Sequence, residues 1–259
     1  MVTTRSQTSR NASSTVTVSP APKATRPQPH SRPSIKRTPR KPLLRQPTAD
    51  HYGLIQERLQ PSSYALLVQA ILWNQTTGRQ ALPVLDALLS LYPTPSQLAA
   101  APLPALTALL QPIGLHNLRA ARLLAFARAW LAAPPDRARR HRRVHYPSRG
   151  RGRDVRPGEV LDERDPREGW EVAHLPGVGA YALDSWRIFA RDALRAQPDG
   201  EWRRVVPLDK ELRAYLVWRW ARDGWKWDSL TGRRKRIRDD DFEMRMLSLI
   251  HISEPTRPY

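Results

Sequence analysis

Leu175-Pro-Gly-Val-Gly179 is the stretch on which the reading of this chain turns. Two glycines one residue apart, the first directly after a proline, let a backbone reverse sharply, because glycine enters left-handed conformations at no steric cost. Apolar residues at helical spacing predict a helix on each side, the second over 180–191, so the segment is expected to be a tight hairpin between two helices. Such a turn presents main-chain N–H groups at a helix N-terminus, where a phosphate is favoured. Leu175, Gly177, Val178 and Gly179 are therefore candidate contacts to a nucleic-acid backbone. The string alone fits an ordinary turn equally well, and it also fits a hairpin that grips a backbone without doing chemistry.

Outward from the hairpin the periodicity stays helical. Residues 64–73 are almost all apolar and rich in Leu and Ala, which predicts a buried helix starting after Pro61-Ser-Ser63. Ala81, Leu82, Leu85, Leu88, Leu89 and Tyr92 mark a second helix that Pro93-Thr-Pro95 ends. A Pro- and Ala-rich helical stretch leads to a loop at Pro112-Ile-Gly-Leu115, and Asn117 is expected to cap an amphipathic helix over 118–131. Downstream, an extended Val205-Val-Pro207 precedes a helix over 210–220. No segment alternates strictly enough for an amphipathic strand, so the expected class is all-α.

The charged residues lie mostly elsewhere. The 259 residues carry a net charge of +19 with a pI near 11.3, which calls for a polyanionic partner, nucleic acid first and a ribosomal or membrane surface as the alternatives. Residues 1–49 contain no Asp or Glu and read as a disordered basic arm. That arm serves as a nuclear-localisation and DNA tether centred on Ile35-Lys-Arg-Thr-Pro-Arg-Lys41, as a mitochondrial presequence, or as a plain solvated tail. Residues 134–169 are Arg-rich without apolar period and are expected to be a disordered insertion, a kind that costs little because loop entropy grows slowly with length. A basic tail is expected over 226–246. Leu247-Ser-Leu-Ile-His-Ile-Ser-Glu-Pro-Thr-Arg-Pro-Tyr259 resembles the translation of a transposase-type sequencing adapter and is set apart from fold reasoning. With no cysteine there are no disulfides, thiolate metal sites or cysteine-ligated clusters, and the seven His lack metal-ligand spacing. No apolar run reaches the roughly 20 residues of a membrane span, and the expectation is a soluble intracellular protein.

Asp209 is the residue best placed for chemistry. It follows the extended segment and opens a helix, where a carboxylate meets the positive end of the helix dipole. A plain N-cap is one reading. The other is the anion that cleavage of a glycosidic bond requires, set beside an oxocarbenium-like sugar and able to activate water.

Taken together, these residues resemble the helix-hairpin-helix-GPD DNA glycosylases, and in particular the glycosylase domain of methyl-CpG-binding-domain thymine/uracil glycosylases. The resemblance runs from about Gly53 to Trp220. It is carried by Gly53-Leu-Ile-Gln-Glu-Arg-Leu59, Ala70-Ile-Leu-Trp-Asn-Gln-Thr-Thr-Gly78, Leu82-Pro-Val-Leu85, Pro112-Ile-Gly-Leu-His-Asn-Leu-Arg-Ala120, the hairpin, Tyr181, Asp184-Ser-Trp-Arg-Ile-Phe189 and Pro207-Leu-Asp-Lys-Glu-Leu-Arg-Ala-Tyr215, with Trp218 and Trp220. It implies a single all-α domain of two helical lobes, with the hairpin and Asp209 at the mouth of the cleft between them.

The resemblance also implies roles. Asp209 matches the catalytic aspartate, and Gln56 and Tyr181 match residues of the pocket for a flipped pyrimidine. Gln75 and Leu115 match the residues that fill the vacated stack, although the family often has Arg in place of Gln75. Bifunctional members carry a lysine where this chain has Tyr181, and tyrosine cannot form a Schiff base, so the implied enzyme is a monofunctional glycosylase. Its expected partners are double-stranded DNA with a mismatched or damaged pyrimidine and a downstream abasic-site endonuclease, and it acts as a monomer without metal or cofactor. A methyl-CpG-binding domain is not recognisable in the chain. A noncatalytic DNA-binding module and a glycosylase for mismatched adenine are the competing readings.

Overall fold

The computed structural model describes residues 50–195 and 200–237. The basic arm over 1–49, the end of the basic tail and the adapter-like 247–259 lie outside the described residues. In chain order the elements are α1 (Ile55–Leu59), α2 (Ser63–Leu72), α3 (Gly78–Leu91), α4 (Pro95–Ala99), α5 (Leu103–Leu110), α6 (His116–Ala132), β1 (Arg140–His141), β2 (Val160–Leu161), α7 (Ala180–Phe189), α8 (Arg191–Leu194), α9 (Lys210–Arg222), β3 (Trp225–Trp227) and β4 (Arg234–Arg236).

The architecture is helical, and α2 is its centre. Ser62 caps this helix by accepting the Ala65 N–H at 3.2 Å, and every residue from Tyr64 to Leu72 is buried. A helix that is apolar on all sides must be covered on all sides. On one side α3 and α6 pack against it, with α4 and α5 laid on α6, forming the first lobe. On the other side α7 crosses α2 and touches α1. Phe189 of α7 meets Tyr215 of α9 with ring centroids 4.8 Å apart, and Trp202 meets Trp220 at 4.9 Å, which closes the second lobe. Among the described residues no helix is long and apolar enough to cross a membrane.

Four expectations are corrected. The segment before the hairpin is a run of turns rather than a helix, with Ala173, Leu175 and Val178 each donating to the carbonyl three residues back. The Trp170 backbone is already committed to His141, at 2.9 and 3.0 Å, and Pro176 disfavours the helical conformation of the residue before it. Asn117 is not the cap of α6. It lies inside the helix, and the cap position is Leu115, in a left-handed conformation.

The Arg-rich insertion is folded. β1 pairs antiparallel with β2, and Tyr146, Val155 and Leu161 are buried. Arg140, itself buried, donates to the carbonyls of Asp162, Asp165 and Arg167 at 2.6 to 3.2 Å. Arg167 pairs with Glu159 and Asp165 at 2.6 and 2.7 Å. A guanidinium has five fixed donors, so here arginine satisfies loop carbonyls that secondary structure would otherwise satisfy. Such a fold leaves no hydrophobic period in the sequence. The first part of the expected tail is likewise a hairpin, β3 against β4, with Trp227 and Ile237 buried.

The insertion is fastened beside the hairpin by two histidines. The rings of His141 and His174 lie 4.1 Å apart, and His174 Nε2 donates to the Ala133 carbonyl at 2.8 Å. Burial pushes His141 down to about 4, with the charges of His174 and Arg139 adding to the effect, and burial also lowers His174. Both rings are held neutral in the folded state, so the unfolded chain binds protons first and acid favours unfolding. Stability should be fully present above pH 6.5 and lost as pH falls towards 4. Thermal melts across that range should show this loss, and His141→Phe should flatten it; an unchanged acid limb in the variant would contradict the account.

Candidate active site

The site is assembled from both lobes. α1 is a single turn, too short to hold itself. Its entry is fixed by Glu57, whose carboxylate accepts the N–H groups of Tyr52, Gly53 and Leu54 at 3.1, 2.5 and 3.0 Å. Gln56 is thereby turned inward and is buried. Its Nε2 donates to the Tyr181 hydroxyl of α7 at 2.8 Å, and Gln69 Nε2 of α2 donates to the same oxygen at 3.1 Å. Burial pushes the Tyr181 phenol up to about 12, against the lowering effect of the Gln69 hydrogen bond.

Asp209 caps α9. One carboxylate oxygen, Oδ1, accepts the N–H groups of Glu211 and Leu212, each at 3.0 Å. Among the described residues its other oxygen accepts no hydrogen bond, and the side chain is only half-buried. Capping and availability are therefore combined in one residue. The charge of Asp209 is felt at Tyr181 and at Asp184, one turn further along α7. Asp184 is buried, and Tyr146 of the insertion donates to its Oδ1 at 2.7 Å. Burial raises the Asp184 carboxyl to about 6, while the Tyr146 hydrogen bond and the Arg187 charge hold it down.

Gln75 and Leu115 share an unusual backbone. Their φ angles are +58° and +50°, a region that bulky residues rarely enter, and both side chains are exposed. Arg119, one turn after Leu115 on α6, ties the two loops together. Its guanidinium donates to the Leu72 carbonyl at 3.3 Å, the Asn74 carbonyl at 2.8 Å and the Thr76 hydroxyl. Both side chains are thus held out towards solvent from loops that one buried guanidinium joins.

At the hairpin, Gly177 has φ +87°, and a Cβ there would stand 2.9 Å from Arg122 and 3.0 Å from Ile71. The close approach to α2 and α6 fixes the turn against the first lobe. The Leu175 and Val178 side chains are core, and the Val178 N–H is spent inside the turn on the Leu175 carbonyl. The N–H groups of Gly177 and Gly179 have no acceptor among the described residues. Of the four hairpin residues expected at a phosphate, the two glycines are the ones with main-chain donors to offer.

Residues 68–246 match the family model described as the HhH-GPD superfamily base excision DNA repair protein. The chain belongs to this superfamily. Among solved structures, this HhH-GPD chain is similar to a thermostable thymine-DNA glycosylase at 23% identity, TM-score 0.35, covering 49% of this chain and 46% of that one. It thus spans less than half of that protein's length. It is also similar to endonuclease III trapped in a covalent DNA intermediate with an estranged adenine, at 17% identity, TM-score 0.37, covering 76% and 80%. A non-covalent endonuclease III–DNA complex matches at 17% identity, TM-score 0.38, covering 77% and 81%.

The structure joins Gln56 to Tyr181 by a hydrogen bond, sets Asp209 where its charge acts on Tyr181, and puts Gln75 and Leu115 on loops joined by Arg119. It also adds residues that sequence reasoning missed as site residues. Gln69 had a signal, a single amide in an apolar run. Asp184 and Arg119 stood within the quoted motifs without a role, and Tyr146 lay in the segment set aside as structureless.

Two outcomes follow from this geometry. Arg119→Met strips three acceptors of their donor and should cost roughly 1–3 kcal/mol. Hydrogen exchange should then speed up at 73–77 and 113–116 while α7 keeps its protection; exchange confined to one loop would disprove the coupling. Asp184 holds its proton more tightly folded than unfolded, so its contribution favours the fold at pH 4 and is lost as pH rises through about 6. Asp184→Asn should therefore gain stability relative to the native protein between pH 4 and pH 7. A constant difference across that range would rule the assignment out.

Proposed function

We propose that this HhH-GPD protein is a monofunctional DNA glycosylase that hydrolyses the N-glycosidic bond of a mismatched or damaged pyrimidine, thymine or uracil opposite guanine, after flipping it from the helix. The observation that carries the reading is the bond between Gln56 and Tyr181, residues 125 positions apart, together with a carboxylate oxygen of Asp209 that accepts no hydrogen bond among the described residues. An amide both donates and accepts, as the imide edge of uracil or thymine requires. Leu115 and Gln75 occupy the vacated stack, and Gly177 and Gly179 hold the DNA backbone through their N–H groups. Extrusion costs least at an already weakened pair, which favours G·T and G·U.

Asp209 then acts on the sugar. Its Oδ1 is pinned by two helical N–H groups, so Oδ2 is held in a fixed direction. A preorganised anion stabilises the positive charge that develops as the bond to the base lengthens, and the same oxygen takes a proton from the attacking water. The base leaves with the bonding electron pair, and water completes the sugar as an abasic site for a downstream endonuclease. Tyr181 stands where a bifunctional enzyme needs an amine, and its buried phenol stays protonated. The basic N-terminal arm supports a nuclear destination, with the mitochondrion as the alternative.

Asp209→Asn separates chemistry from folding, because asparagine caps helices as well as aspartate does. On duplexes with one G·T or G·U pair, the native protein should release the base, leaving strands that break only on addition of alkali. The variant should be slower by roughly 10²- to 10⁴-fold with an unchanged melting temperature. Borohydride should trap neither protein on DNA. Duplex binding without base release by the native protein would instead support a noncatalytic module.

A further inference from the structure

Gln69 is out of place by composition. It is the amide in the middle of a helix buried from Tyr64 to Leu72, and it is itself fully buried. A polar group in such a setting is costly unless its hydrogen bonds are made. Only part of the requirement is met: Nε2 reaches the Tyr181 hydroxyl, whereas Oε1 is buried without a partner among the described residues. Gln56 is in the same condition, with Nε2 on Tyr181 and Oε1 buried and unpartnered among the described residues.

The deficit does not depend on how the amides are turned. With both nitrogens on the phenol, both carbonyl oxygens lack a donor. Rotating one amide lets Tyr181 donate to that oxygen, but it leaves the corresponding NH₂ without an acceptor. Tyr181 has one hydrogen to give, so the three side chains cannot satisfy one another in any arrangement. Two amides on one phenol are thus left with hydrogen-bonding capacity at the place where Gln56 is expected to meet a base.

We propose that Gln69 is a second base-recognition residue, which together with Gln56 reads the hydrogen-bonding edge of an extruded pyrimidine carrying a ring N–H. This rests on the glycosylase reading given above. A uracil or thymine edge alternates acceptor, donor and acceptor, and two amides can match it by presenting one oxygen to the ring N–H and NH₂ groups to the flanking carbonyls. A base without the ring N–H leaves a buried amide oxygen unmet, and the site rejects it on that account.

The test is single-turnover base release from duplexes holding uracil or N3-methyluracil opposite guanine, using the native protein, Gln69→Met and Tyr181→Phe. Methionine matches glutamine in length and brings no unmet polar atom into an apolar helix, so the melting temperature of Gln69→Met should not fall. The native protein should prefer uracil. Gln69→Met should slow uracil release by roughly ten- to a hundredfold, the scale of one buried hydrogen bond to substrate, and leave the methylated base nearly unchanged. Tyr181→Phe keeps both amides and should retain the preference even at a reduced rate.

Equal slowing of both substrates by Gln69→Met, or no slowing, would overturn the assignment, as would loss of the preference in Tyr181→Phe. If Gln69→Met failed to fold, the Tyr181→Phe result would decide between direct reading and an effect through the phenol. If the native protein released neither base, the glycosylase reading would fall and this one with it.

Discussion

Four ionised side chains with almost no access to water hold the second lobe together. Arg187 of α7 meets Glu201 at 2.6 Å, Arg191 of α8 meets the same carboxylate at 2.9 Å, and Arg191 also meets Glu171 at 3.1 Å. Both guanidiniums lie over the Trp170 ring, at 4.5 and 4.9 Å. Removing one member of such a buried set leaves a charge without water or partner, at a cost of about 3–5 kcal/mol. Since Trp170 and Glu171 lead into the hairpin and Glu201 leads towards Asp209, the network sets the position of α7 against both. The part of α7 that carries Tyr181 and Asp184 is fixed from its far end.

That constraint explains how a site is made from segments so far apart in sequence. α2 supplies the apolar surface on which both lobes meet, and the Gln56–Tyr181–Gln69 cluster sits at that junction. The Arg-rich segment joins through Tyr146, whose hydroxyl reaches Asp184 and lies 3.3 Å from Arg187. It therefore contributes to the environment of the Asp184 carboxylate rather than standing apart from the domain.

The fold was legible where burial imposes a period. The apolar run of α2, the amphipathic α3 and the glycines of the hairpin all follow from spacing and backbone freedom. The capping role of Asp209 was legible because a carboxylate after an extended segment opens a helix. The folding of 134–169 was not, because its order comes from arginines bonded to loop carbonyls, which has no periodic signature and resembles disorder in composition. Gln69 was hidden for a related reason. A lone amide in an apolar helix reads as a flaw in the pattern until α7 and α1 bring Tyr181 and Gln56 to it from elsewhere in the chain.

The left-handed residues Gln75 and Leu115 carry one more implication. Their conformation costs on the order of 1–3 kcal/mol each in the unbound protein, and the fold sustains it through Arg119 and the α6 terminus. On the proposed glycosylase reading, loops already held in this shape have little freedom left to lose when they meet a duplex, so the penalty of association falls mainly on the nucleic acid. On that same reading encounter samples the helix with preset loops, and the local ease of unstacking in the DNA, rather than any rearrangement of the protein, governs where it stops.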